Sequence, residues 1–172
     1  MPVPRIVTVW CADWPVVAAR VPAHQPAAVL RSNRVVACTP AARAAGVSHG
    51  QRRRAAQGAC PELVVVEHDD DRDARAFEPL VRAVAELAPR LEVVEPGWVS
   101  LAARGPSRYF GGDQALAVRL LDLVRRLVDG AAGVGVGVAD GRVASAIAAR
   151  RAAVRSGTEV VAPGTSPTFL AP

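Results

Sequence analysis

Asp69-Asp70-Asp71, followed by Asp73, is the densest run of ionisable side chains in this sequence, and clustered carboxylates are the raw material of a divalent-cation site. Acidic residues at the start of a helix are also favoured by its dipole. Phe77, Leu80, Val81, Val84 and Leu87 follow at i, i+3, i+4, i+7 spacing, so the run is read as a helix opening. Gly133-Val134-Gly135-Val136-Gly137 imitates a phosphate loop but lacks the Gly-Lys-Ser/Thr that would complete one; it is read as a strand approached closely by other backbone. Arg52-Arg53-Arg54 could meet nucleic-acid phosphates, yet consecutive helical residues fan over about 200°, so a solvated face is the competing reading. Arg125-Arg126 and Arg150-Arg151 are weaker candidates of the same kind, with Asp122 spaced to pair with Arg126. His24, His49 and His68 have no partner at catalytic spacing.

Cys11, Cys38 and Cys60 lie far apart without a Cys-x-x-Cys pair, which argues against a disulfide framework and a zinc site alike. They are expected to be small buried side chains. No metal and no cofactor is expected. The net charge of +5 suits an anionic partner, but all 21 basic residues are arginine, a bias that weakens any claim for a particular one. No apolar run approaches the length of a membrane span, and the N-terminus enters a strand directly, so a cytoplasmic protein is expected.

The elements that must position these residues follow from periodicity. The 172 residues suffice for a real core, and with 4% aromatics it must be built from Val, Leu and Ala. Arg5–Trp10 reads as a buried strand and Trp14–Val21 as a short helix, with Asp13 as N-cap and Pro15 in the first turn. Short strands at Ala27–Leu30 and Arg34–Cys38 flank a Ser32-Asn33 turn. Pro40–Ala45 and Gln51–Ala59 suggest short helices, and Leu63–Glu67 a strand. Leu91–Val94 and Trp98–Ala102 form a hairpin around Pro96-Gly97. Leu116, Leu120, Leu123, Val124 and Leu127 mark a helix that Gly130 stops; a strand at 133–139, a helix at 142–155 and a strand at 159–161 complete the series. With 32–70 set aside, the order is strand, helix, two strands, helix, strand: an α+β, ferredoxin-like arrangement.

Several blocks, in order, resemble the Y-family (translesion) DNA polymerases. Val35–Gly50 resembles their fingers segment, in which a Tyr-x-x-Arg pair precedes a Gly-Val-x-x-Gly turn. Cys60–Val66 resembles the strand after the fingers, and Tyr109-Phe110-Gly111-Gly112 is similar to Leu-Phe-Gly-Gly. Val136–Ala148 resembles Val-Gly-Ile-Ala-x-Asn-Lys-x-x-Ala-Lys-x-Ala. The resemblance implies a polymerase palm at 1–31 and 71–162, a fingers insertion at 32–70, and at 163–172 a linker toward a thumb outside this sequence.

Phosphoryl transfer in that family needs carboxylates holding two metal ions. On the resemblance their positions fall on Trp10, Ala12, Gly97 and Trp98. The Tyr of the nucleotide grip falls on Pro40, the ribose-gate aromatic on Pro15 and the helix Lys on Ala146, while Arg43 remains. The nearest group is therefore the ImuB proteins, non-catalytic Y-family relatives of bacterial mutagenesis cassettes. This resemblance implies a pseudo-polymerase, not an enzyme: a scaffold in damage-induced mutagenesis, near the nucleoid, with weak DNA binding through Arg52, Arg53 and Arg54. Its implied partners are the sliding clamp, an accessory RecA-like protein and an error-prone C-family polymerase, held mainly through regions outside this sequence. Trp10 and Trp98 are read either as an apolar plug or as a partner-binding patch. Two other readings stand beside the scaffold: an active Y-family polymerase with ligands relocated to Asp13 and Glu95, and an unrelated ferredoxin-like nucleic-acid-binding module.

Overall fold

The computed structural model of the protein describes residues 3–128 and 133–171. Its elements are β1 (Arg5–Cys11), α1 (Trp14–Ala18), β2 (Ala27–Arg31), β3 (Arg34–Cys38), α2 (Pro40–Ala44), α3 (Arg53–Ala59), β4 (Val64–Glu67) and α4 (Asp70–Leu87). Next come β5 (Leu91–Glu95), β6 (Trp98–Ala102), α5 (Arg104–Phe110), α6 (Asp113–Leu127), β7 (Val134–Asp140), α7 (Arg142–Ala153), β8 (Thr158–Val160) and α8 (Ser166–Leu170). The expected stop at Gly130 lies outside the described residues.

Two units emerge. The first contains the chain up to Ala12 and most of the residues from Glu78 onward. Its sheet runs β5-β6-β1-β7-β8. β1 pairs antiparallel with both β6 and β7, and β8 joins parallel to β7. The β1-α4-β5-β6-α6-β7 order is the ferredoxin-like path expected from periodicity. Strand alternation divides the sheet's side chains between its faces. Val7, Val9, Val99, Leu101, Val136 and Val138 are buried with Leu116, Leu120 and Val124 of α6. The other face carries Thr8 and Trp10, opposite Gly137 and Gly135 in register. α7 lies on this second face: a Cβ added to Gly135 would stand 2.0 Å from the carbonyl oxygen of Ala149, and one on Gly137 2.3 Å from its nitrogen.

The second unit is Asp13–Phe77. β2 pairs antiparallel with β3 and parallel with β4. Ser32 and Asn33, at φ 50 and 63, make the two-residue turn between β2 and β3. Its core includes Leu30, Val35, Cys38, Val47, Cys60 and Leu63. Cys11, Cys38 and Cys60 are buried and free.

Local differences from the sequence-based expectations have physical causes. β2 belongs with β3 and β4, not with the larger sheet, because it supplies the pairing edge for both. Residues 163–171, expected as a linker, carry a short helix: α8 forms there, Phe169 packs against Ala139, Ala144, Ala148 and Val161, and the Ser166 hydroxyl accepts from the Asp140 amide. α1 stops at Ala18, and the Asp13 side chain does not cap it: the carboxylate accepts from the Cys38 amide and from Arg43 instead. Asp122 forms no ion pair with Arg126 among the described residues; Arg125 instead reaches the carbonyl of Ser156. No described helix is long and apolar enough to cross a membrane.

Candidate functional site

At the end of the larger sheet where Pro96-Gly97 turns the hairpin, Trp10 and Trp98 face each other across β1 and β6. Gly97, at φ 95, closes the turn and its carbonyl accepts from the Cys11 amide at 2.8 Å. The indoles meet edge to face, 5.4 Å between centroids at 70°. Above them sits the guanidinium of Arg150, 4.3 Å from the Trp10 ring and 5.2 Å from that of Trp98. The Trp98 indole N–H donates to Ser100 Oγ at 3.3 Å. Ser100 Oγ is 3.0 Å from Thr8 Oγ1, which is 2.9 Å from Ser145 Oγ, and Ser145 donates to the Arg142 carbonyl. This buried hydroxyl chain fixes α7, and with it Arg150, over the strands.

Magnesium, which polymerase chemistry implies, requires oxygen ligands. The side chains of Trp10, Ala12, Gly97 and Trp98 offer none, and a guanidinium already lies over the indoles. The residues at this place do not fit a divalent cation. Among the described residues, no three His, Cys, Asp or Glu side chains stand close enough to hold a metal ion.

In the second unit, the Asp13 carboxylate accepts from the Cys38 amide at 3.0 Å and from Arg43 at 2.5 Å. The bond to Asp13 raises Arg43 further above its ordinary range, so the guanidinium is held charged. Burial, reinforced by the nearby Asp13 charge, raises the Cys38 thiol, with Arg43 opposing. Asp13 is thus spent on a structural ion pair. Thr39 caps α2 by accepting from the Ala42 amide, with Pro40 at the first turn, which sets Arg43 on the first helix after β3.

Arg52, Arg53 and Arg54 are exposed at the start of α3. Arg53 stands 3.6 Å from Glu67, and Arg52 bridges to Arg34 through the backbone. The aspartate run is a helix opening as expected: Asp69 Oδ1 accepts from the Arg72 amide, and this bond holds the Asp69 carboxyl below its usual range. Asp73, however, is buried, with Arg72 at 3.0 Å and His68 Nε2 at 3.4 Å. Sequence reasoning missed both this His68 contact and the stacking of Arg150. For Arg150 a signal existed: glycines at alternate positions of β7 admit a helix on the Trp10 face, and Arg150 follows Ala149, which fills the glycine gap.

A palm-type ferredoxin-like sheet with a second unit interposed after its first strand is the architecture of Y-family DNA polymerase palm and fingers. The chain belongs to the impB/mucB/samB family, whose description matches residues 15–150. A ternary complex of Dbh superposes with a TM-score of 0.76 at 19% identity, over 96% of this chain and 50% of that one. DinB from Sulfolobus solfataricus gives 0.68 at 18%, again over 96% and 50%. An insertion ternary complex of Dbh DNA polymerase gives 0.72 at 18%, over 96% and 51%. The chain therefore spans about half the length of the solved structures it matches. No curated protein matches the sequence.

These matches correct one expectation. The missing carboxylates suggested a pseudo-polymerase and no enzyme. The family and the solved neighbours are Y-family DNA polymerases, so substitutions at Trp10, Ala12, Gly97 and Trp98 do not set the chain outside an enzyme family.

Proposed function

We propose that this chain is the palm and fingers of a Y-family protein of bacterial DNA damage tolerance, related to the ImuB group. In this reading it helps hold together a translesion-synthesis assembly with an accessory RecA-like protein and an error-prone C-family polymerase. Arg52, Arg53 and Arg54 contribute weak contacts to DNA phosphates. The observation that carries the reading is the Trp10–Arg150–Trp98 stack. Trp and Arg are among the side chains that most often anchor protein interfaces, and Trp10 and Trp98 stand where the Y-family resemblance puts metal-binding carboxylates.

The test is to follow the fluorescence anisotropy of the dye-labelled chain while purified C-family polymerase or RecA-like protein is added. Saturable binding to either, weakened about tenfold or more in a Trp10→Ala/Trp98→Ala variant, is the expected result. Absence of binding to both overturns the assembly role. A second reading, synthesis by the chain itself, is favoured by its family membership. Saturable, Mg²⁺-dependent quenching by a deoxynucleoside triphosphate together with primer extension selects it.

A further inference from the structure

Tyr109 is the only tyrosine in a chain with 4% aromatics, and its side chain is 83% exposed. It stands near the C-terminus of α5, where the Y-family resemblance places leucine. Arg104 and Arg108 lie on one face of α5 at i, i+4 spacing. The Tyr109 and Phe110 rings meet edge to face at 4.8 Å, and Arg119 of α6 lies 5.0 Å over Phe110. Gly111 and Gly112, at φ 92 and 116, break the helix, and the Gly112 amide bonds back to Ser107, fixing the turn that presents the rings.

None of the ion pairs among the described residues involves Arg104, Arg108 or Arg119. The nearby Asp113 is committed to Arg5 and to the Ser107 hydroxyl, both at 2.6 Å. The corner thus combines an exposed aromatic ring with cations that no carboxylate neutralises. It is also distant from the tryptophans: β6 carries Trp98 at one end and Ala102, leading into α5, at the other, about 13 Å away at a strand rise of about 3.3 Å per residue.

We propose that this α5–α6 corner binds single-stranded DNA, with an unpaired base stacked on Tyr109 and the flanking phosphates held by Arg104, Arg108 and Arg119. A base offers a flat π-face to any exposed ring, and guanidiniums beside it match the strand's regular charges. Arg104, Arg108 and Arg119, on the two helices that carry the Tyr109–Phe110 pair, favour a polyanion over an apolar protein surface, so the strand is the better fit. The inference is independent of the assembly role proposed above.

The test is fluorescence anisotropy with labelled oligo-dT of about 16 nucleotides and an abasic strand of equal length. The chain is expected to bind oligo-dT about tenfold more tightly than the abasic strand. Tyr109→Ala should erase that difference and Tyr109→Phe keep it, while Arg104→Gln/Arg108→Gln weakens both strands and flattens the salt dependence. Unchanged oligo-dT binding by Tyr109→Ala overturns the proposal, as does no binding up to about 100 μM. So does Tyr109-dependent binding of an oligoglutamate peptide in place of DNA, which assigns the corner to an acidic protein segment. Tyr109 makes no buried contact that the fold depends on, and an unchanged melting temperature of the variant verifies this.

Discussion

Asp13 shows how one side chain can be diverted from the role its neighbours suggest. Standing before Trp14-Pro15, it has the composition of a helix cap, yet its backbone is left-handed and its carboxylate spans 25 positions to the amide of Cys38 and joins Arg43. Removing the carboxylate leaves a buried N–H without a partner, at about 1–3 kcal/mol, and forces Ala into a backbone that suits Asp or Asn better. Asp13→Ala should therefore lower unfolding free energy by about 2–4 kcal/mol. Asp13→Asn keeps an acceptor and the backbone tolerance, losing only an ion pair to a half-exposed arginine, and should lose about 1 kcal/mol or less. Urea titration of both variants measures the split, and equal losses would mean that charge, not the Cys38 amide, is what Asp13 serves. The sequence could not reveal this, because the partner amide is remote and nothing local marks it.

Among the elements, those written in local periodicity were legible. The apolar stripe of α4, the Pro-Gly hairpin and the Gly-Val alternation of β7 lie close to where the residue pattern put them. What local pattern does not carry is distant pairing: β2 joins the smaller sheet, and α8 has contacts through Asp140 and Phe169 that a Pro-rich composition does not advertise. In the candidate site, Trp10 and Trp98 were recognisable as neighbours through strand order, whereas Arg150 required knowing which face α7 covers. The glycines of β7 decide that face. At Gly135 and Gly137 an added methyl would meet α7 backbone at 2.0 and 2.3 Å, and backbone cannot rotate aside as a side chain can. Gly135→Ala or Gly137→Ala must push α7 off the sheet, stretching the Thr8–Ser145 hydrogen bond and lifting Arg150 from the indoles. The expected loss is about 3 kcal/mol or more in urea unfolding, with a change in tryptophan emission. The control is Gly58→Ala, since nothing lies within 4 Å of the added methyl there. A tolerated Gly135→Ala with unchanged emission would show that α7 does not depend on that contact.

At the scale of the whole molecule, the absence of lysine alters how the protein answers to alkali. Guanidiniums keep their charge at any pH where proteins are handled, so the cations of this chain do not discharge as lysines would. Buried thiols take over as the groups that link folding to high pH. Burial pushes the Cys11 thiol up to about 12 from its ordinary 9, and Cys38 is raised in the same direction. Between those values the unfolded chain loses the Cys11 proton while the folded chain keeps it, so hydroxide favours unfolding. The stabilisation is complete below about pH 9 and drains away as pH rises toward 12, at up to about 1.4 kcal/mol per pH unit for each fully linked thiol. Cys11→Ala should be less stable than the parent at pH 8, from lost packing, yet show a flatter decline between pH 9 and 11, with the residual slope carried by Cys38. Urea titrations across that interval measure both quantities. Parallel declines would mean that Cys11 ionises in the folded protein as freely as in the unfolded chain, and that its burial at the end of β1 is not maintained in solution.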